Sequence, residues 1–345
     1  MKKVRLLVII GLLLAFAVSC MVSAAPKVLI GLSMDTLKEE RWQKDRDIFV
    51  AQVKKLGGEV LVQAANSDDA LQASQCENLL SQGVQVLVII PHNAEAMAPV
   101  VDSAVKSKVK TIAYDRLIKN CDIDLYISFD NEKVGFLQAS GVLKLVKKGT
   151  FVYIGGSPTD NNAFMLKAGS MRALDPYIKK GDIKIAYDQF TNDWKPEVAQ
   201  TNMENALTKL NNKVDAVVAA NDGTAGGVIQ ALMDQKLAGK VPVSGQDADL
   251  AACQRIVEGT QAMTVYKPIK LIASEAAKAA VALAQGKKPK ANLTIDNAKN
   301  KNTPFLALTP IPVTKENMYK AVIKDGFHSL EDVYRNIPKD KWPAK

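Results

Sequence analysis

Short apolar runs recur along this 345-residue chain, and almost every one is followed within a few residues by side chains suited to polar chemistry. They are Asp35 with Arg41 and Trp42, His92 and Asn93, Asp115 and Arg116, Asp130 and Asn131, Asp160 with Asn161 and Asn162, Asp193 and Trp194, Asn221 and Asp222, Asp247 and Asp249, and Lys267. Carboxylates and carboxamides present paired acceptors or donors, a guanidinium fork meets two oxygens at once, and an indole packs an apolar ring face. Vicinal hydroxyls above an apolar C–H face use all of these groups together. The inventory suits a neutral, polyhydroxylated ligand.

Part of it has a plainer explanation. Asp and Asn are favoured helix N-caps, and capping accounts for Asn66, Asp130 and Asp249. It does not account for Arg41, Arg116, Trp194 or Lys267, since cations at a helix start oppose the helix dipole. Catalytic readings fit less well. The two histidines, His92 and His328, have no G-x-S-x-G partner motif. Neither G-x-G-x-x-G nor a Walker loop occurs, and the glycines at 155–156 have no lysine beside them to meet phosphate. His92 with Glu95 is a weak metal pair, and nothing in the spacing supports Asp115 and Asp160 as a glycosidase acid–base pair. The expectation is binding without an enzyme activity, a metal or a cofactor.

The elements that must position these residues follow from periodicity. Runs such as KVLIGLS, EVLVQAA, VQVLVII, KTIAY, DLYISF, TFVYIGG, IKIAYDQF, VDAVVAA, KVPVSG and QAMTVY alternate with stretches whose apolar residues recur every three or four positions. Continuous apolar strands alternating with helices predict α/β architecture with parallel sheets covered on both faces. The length exceeds what one core usually supports, so two similar domains are expected, with two sheets of about five strands each. In open parallel sheets ligands bind beyond the carboxyl ends of the strands, where helix N-termini also point. The residues leaving each strand occupy that position.

The N-terminus, MKKVRLLVIIGLLLAFAVSCMVSAA, is basic, then apolar to about Val18, then small. It reads as a signal peptide over residues 1–25, too short in its apolar run for a bilayer span. Cleavage after Ala24 or Ala25 is preferred to lipidation of Cys20, because Ala17 replaces the usual lipobox leucine. The net charge of +9 comes from residues 1–26 and 286–345, leaving residues 27–285 neutral. An exported protein with a neutral body and a lysine-rich tail segment is poorly placed to bind nucleic acid. Cys76, Cys121 and Cys253 form no C-x-x-C pair and read first as small buried residues, and second as one disulfide with a thiol left over.

Taken together, ERWQKDRDIFV (40–50), VLVIIPHNAE (86–95), IAYDRLI (112–118), DLYISFDNEKVG (124–135), GGSPTDNNA (155–163), NNKVDAVVAANDGTAGGVIQAL (211–232), GQDADL (245–250) and TVYKPI (264–269) resemble the type I periplasmic sugar-binding proteins of ABC importers, the D-xylose-binding members above all. The resemblance runs along essentially the whole mature chain. It implies two lobes joined by three crossovers, 27–129 with 268–304 and 130–267 with 305–345, and a three-segment hinge. It implies that Arg41, Asp115, Arg116, Asp160, Asn162, Asn221, Asp247 and Lys267 hold sugar hydroxyls, that Trp194 stacks on the ring, and that Trp42 lies close to the pocket. His92 stands where tyrosine is familiar. The implied partners are a monosaccharide, D-xylose first, and a membrane ABC permease, with a chemoreceptor or sensor kinase as the alternative. A monomer in the periplasm is implied, or at the outer face of the membrane if lipid-anchored. A DNA-binding repressor, which shares this fold, would carry a headpiece where the signal peptide stands.

Overall fold

The computed structural model describes residues 28–343; residues 1–25, read above as a signal peptide, and Cys20 among them lie outside the described residues. The first half alternates strands and helices: β1 (Leu29–Met34), α1 (Glu40–Lys55), β2 (Glu59–Ala64), α2 (Asp69–Ser81), β3 (Val86–Ile89), α3 (Ala98–Lys106), β4 (Lys110–Tyr114) and β5 (Leu125–Phe129). The five strands pair in parallel in the order β2-β1-β3-β4-β5. Every residue of β3 and β5 is buried, which explains why these strands read as unbroken apolar runs rather than alternating ones.

The second half continues with α4 (Asn131–Leu143), β6 (Gly149–Ile154), α5 (Asn161–Lys179), β7 (Ile183–Gln189), a 3₁₀ turn at Asn192–Trp194, α6 (Pro196–Lys209), β8 (Ala216–Ala219), α7 (Asp222–Asp234), α8 (Leu250–Glu258) and β9 (Thr264–Tyr266). Its parallel sheet has the order β7-β6-β8. KVPVSG forms no full strand. It touches β8 through Val217 N–H to Pro242 O and Ser244 N–H to Val217 O, and Pro242 has no amide with which to extend the ladder.

Then α9 (Ile269–Ala284) returns to the first sheet and packs beside α1 over Ile30, Leu32, Val88 and Ile127. The opposite face is covered by α2 and α3 through Leu79, Met97, Val101 and Tyr126. β10 (Leu293–Ile295) and β11 (Thr303–Leu308) extend that sheet to seven strands, and β12 (Ile311–Val313) pairs antiparallel with β9. α10 (Leu330–Tyr334) closes the chain against α8. The sheets therefore have seven, three and two strands rather than five and five. The chain passes between the two sides at Phe129–Asn131, Tyr266–Ile269 and Leu308–Ile311. The divide expected at 304/305 falls inside β11, because Phe305–Leu308 pair in parallel with Tyr126–Phe129.

Two helix pairs on the second side meet backbone to backbone. At Gly135 of α4 a Cβ would fall 1.9 Å from Leu166 O, and at Gly169 of α5 it would fall 1.8 Å from Glu132 O. Gly227 of α7 meets Pro196 O of α6 in the same way, at 2.0 Å. Only glycine allows that approach.

Capping is partly as expected. Asp130 accepts from Lys133 N–H, but Asp68 rather than Asn66 caps α2, and Asn66 takes a left-handed turn conformation at φ 52°. Asp249 holds the N-cap position of α8 with no side-chain cap bond; its amide instead donates to Asp222 Oδ2. Cys76, Cys121 and Cys253 are buried free thiols. Among the described residues no helix is long and apolar enough to cross a membrane.

Candidate functional site

The carboxyl ends of the strands of both sheets converge on one small, tightly lined pocket. Arg41, Trp42, Asp115, Arg116, Asp160, Asn162, Trp194, Asn221, Asp247 and Lys267, the ten residues singled out from the sequence, all line it, joined by Glu39 and Gln246. From the first sheet, β1 leads to Glu39, Arg41 and Trp42, and β4 to Asp115 and Arg116. From the second side, β6 leads to Asp160 and Asn162, β7 to Trp194, β8 to Asn221 and β9 to Lys267.

Arg41 is the centre of a buried ion cluster. Its Nε donates to Asp45 Oδ2 at 3.2 Å, Nη1 to Asp247 Oδ1 at 3.2 Å and Nη2 to Asp115 Oδ2 at 3.0 Å. Lys267 Nζ lies 3.3 Å from Asp247 Oδ1 and 3.5 Å from Asp115 Oδ2. Burial alone would raise the Asp115 carboxyl, but Arg41, Lys267 and Arg116 outweigh it and hold it down to about 2. Asp45 has less help: burial dominates over Arg41 and the Tyr114 hydroxyl, and its carboxyl is pushed up to about 6.

A second cluster surrounds Arg116. Its Nη1 reaches Asp35 Oδ2 at 2.6 Å and Pro91 O at 3.2 Å, and Nε lies 2.9 Å from Asp160 Oδ2. The two carboxylates respond oppositely to the shared cation. Asp160 is raised, its burial exceeding the pull of Arg116. Burial opposes ionisation of Asp35 too, but Arg116 and His92 together outweigh it and its carboxyl is lowered. His92 Nδ1 lies 3.0 Å from Asp35 Oδ1 and Nε2 lies 3.7 Å from Asp193 Oδ1, placing this histidine at the rim.

Both sides of the cleft are in direct contact. Arg41 with Asp247, Arg116 with Asp160, and Asn162 Nδ2 with Asp115 O at 3.0 Å each join residues from the two sides, and Ala94 N–H reaches Thr159 O at 3.0 Å outside the pocket. This is a shut arrangement.

Three pocket residues adopt backbone conformations that residues other than glycine rarely take, Asp115 at φ 60°, Trp194 at 56° and Asp247 at 97°, as do their neighbours Asp193 at 54° and Ala248 at 56°. Each costs about 1–3 kcal/mol and persists only where the surroundings over-determine it. Asp115 is held so. Arg116 N–H donates to Tyr114 O at 2.7 Å, closing a three-residue turn around it, while the Asp115 carbonyl accepts from Ser128, Tyr126 and Asn162.

The indoles divide their work. Trp42 belongs to the core under the first sheet, yet its ring lies 4.1 Å from the Arg41 guanidinium carbon and 5.2 Å from that of Arg116. Trp194 rests on Gly156, where a Cβ would fall 2.0 Å from Cη2, and its buried Nε1 has no protein acceptor. Asn221 and Asp160 are caps and pocket residues at once, Asn221 through a capping box with Thr224 and Asp160 through Asn162 N–H. Glu39 and Gln246 carry no signal in a single sequence that separates them from neighbouring polar residues.

Residues 30–288 match the periplasmic binding protein domain family. The D-xylose-binding periplasmic protein of Escherichia coli (strain K12) is 54% identical over 309 residues, covering 90% of this chain and 93% of that protein. The protein of the same name from Haemophilus influenzae is 52% identical over 332 residues, covering 96% and 99%. Among solved structures, a carbohydrate transporter solute binding protein of Chloroflexus aurantiacus, in complex with D-glucose, superposes with a TM-score of 0.83 at 30% identity over 89% of this chain and 98% of that one. An ABC transporter solute binding protein of Clostridium phytofermentans with bound β-D-glucose gives 0.82 at 31%, over 88% and 99%. A doubly wound pocket built from strand ends and lined by charged groups and an indole, with these likenesses along nearly the full length, leaves no room for an enzyme family: this chain belongs to the periplasmic binding proteins.

Proposed function

We propose that this protein captures a single neutral monosaccharide, D-xylose in first place, between two lobes and presents it to an ABC-type importer from the periplasm. The observation that carries the reading is the convergence of two guanidinium groups, a lysine, four carboxyl groups, three carboxamides and two indoles on one small pocket. Charged groups already balanced against one another can donate and accept toward hydroxyls without demanding a charged ligand. The two xylose-binding relatives, each more than half identical, point to the same sugar.

In this proposal the lobes are the seven-stranded side and the side carrying β6 to β9. Arg41, Asp115 and Arg116 work from one; Asp160, Asn162, Trp194, Asn221 and Asp247 work from the other. A ligand touching both sets is held only when the hinge shuts, so binding and closure are one equilibrium. A micromolar affinity corresponds to about −8 kcal/mol, within reach of several charge-assisted hydrogen bonds and one ring stack after ordering costs.

The test is titration calorimetry of the mature chain with D-xylose, L-arabinose, D-ribose and D-glucose. One-to-one binding of D-xylose at least tenfold tighter than the others supports the assignment. Tighter binding of another sugar replaces the ligand and keeps the pocket; no heat with any of them removes the monosaccharide reading.

A further inference from the structure

One acid in the pocket wall stands apart from the rest. Asp115, Asp160 and Asp247 are each at ion-pair distance from a cation. Glu39 forms no ion pair among the described residues, and its Oε2 is buried without a hydrogen-bond partner. It sits at the N-cap of α1, with φ −73° and ψ 140°, where a side chain usually turns back onto the helix amides; it makes no such bond. The adjacent Glu40 is fully occupied elsewhere, with Lys44 Nζ at 2.7 Å and Leu250 N–H at 3.3 Å.

We propose that Glu39 is a specificity-determining residue of the pocket, its carboxyl hydrogen-bonding one ligand hydroxyl and so fixing a position at which the ligand must carry one. This rests on the monosaccharide reading above. A buried acceptor with no protein partner is satisfied when the ligand supplies a donor, and a ligand lacking that hydroxyl leaves it orphaned. Burial raises the Glu39 carboxyl, with Arg116 and its own amide opposing the rise and Asp35 and Asp247 adding to it.

The test uses the mature chain as wild type, Glu39→Gln and Glu39→Leu, titrated with D-xylose and its four monodeoxy analogues. Wild type should lose at least about tenfold in affinity toward one analogue through this contact. In Glu39→Leu, D-xylose should weaken by about tenfold or more, and that same analogue should then bind as well as D-xylose does. Glu39→Gln, which keeps a donor and an acceptor, should stay within about threefold of wild type. Thermal melts confirm folding, and Glu39→Ala serves in the same comparison if Glu39→Leu does not fold. Unchanged ratios among the analogues in the apolar variant overturn the proposal. If wild type binds D-xylose and Arg116→Ala abolishes binding while those ratios hold, this inference alone fails. If wild type binds none of the sugars, the pocket reading fails and takes this one with it.

Discussion

Replacing Arg41 by methionine keeps the length and apolar stem of the side chain and removes the charge that binds three carboxylates. Asp115 and Asp247 are then left with Lys267 at 3.5 and 3.3 Å, and Asp45 with only the Tyr114 hydroxyl. Removing one partner of a buried ion pair costs about 3–5 kcal/mol. The Asp115 carboxyl gives an independent scale: held from 3.8 down to about 2, it contributes about 2–3 kcal/mol at neutral pH, and Arg41 is the largest attractive influence on it.

The pH dependence carries the sign. In wild type the Asp115 contribution is complete above its unfolded value near 4 and is lost as pH falls toward 2. In Arg41→Met the same carboxyl, and Asp45 with it, should titrate above their unfolded values, so their penalty is full at neutral pH and is relieved as acid protonates them. The stability gap between the proteins should therefore be about 3–5 kcal/mol at pH 7.5 and less than half of that at pH 4.5. Urea unfolding followed by both tryptophan fluorescence and far-ultraviolet circular dichroism measures it, coincident transitions licensing a two-state treatment. A gap under about 1 kcal/mol at pH 7.5, or one that does not change with pH, refutes the reasoning from an ion cluster centred on Arg41.

Gly156→Ala should act as a remote lesion of the stacking indole. The added methyl meets the Trp194 ring, so D-xylose affinity should fall by tenfold or more, as in Trp194→Ala, while the melting temperature moves little; calorimetry of both variants compares them directly. The mature protein should react with a thiol reagent at none of Cys76, Cys121 and Cys253 when folded at pH 8, since burial pushes Cys76 up to about 11 and Cys121 up to about 12, and at three when unfolded in urea. A fourth reactive thiol would count Cys20 as retained and unacylated.

Much of this site could be read from the chain before folding, and the reason is geometric. A parallel strand flanked by helices sends its next few residues to one edge of the sheet, so Asp115 and Arg116 after β4, or Asn221 after β8, are placed by their strands alone. Choosing between cap and pocket residue was the weaker step, because one carboxylate or carboxamide can do both, as Asp160 and Asn221 do. The reverse error occurred at Asn66 and Asp249, whose side chains cap nothing. Glu39 and Gln246 stayed hidden for a different reason. Their place in the lining depends on how the two sides of the cleft meet, a property of tertiary closure that local spacing does not encode. The short strand β10, with two of its three residues exposed, had no apolar run to announce it.

The glycine contacts between α4 and α5 bear on how force travels through the molecule. With a carbonyl pressed against each bare Cα, those two helices cannot slide along one another without collision, and α6 and α7 are similarly locked at Gly227. Sliding within those two helix pairs is therefore opposed by direct backbone contact. A movement that separates Asp160 from Arg116 is then expected to turn about the three short passages at 129–131, 266–269 and 308–311 rather than between those helices. Of these passages, 266–269 contains the pocket residue Lys267, whereas 129–131 and 308–311 hold no residue that lines the pocket; substitutions in those two should tune how readily the protein opens without touching what it recognises.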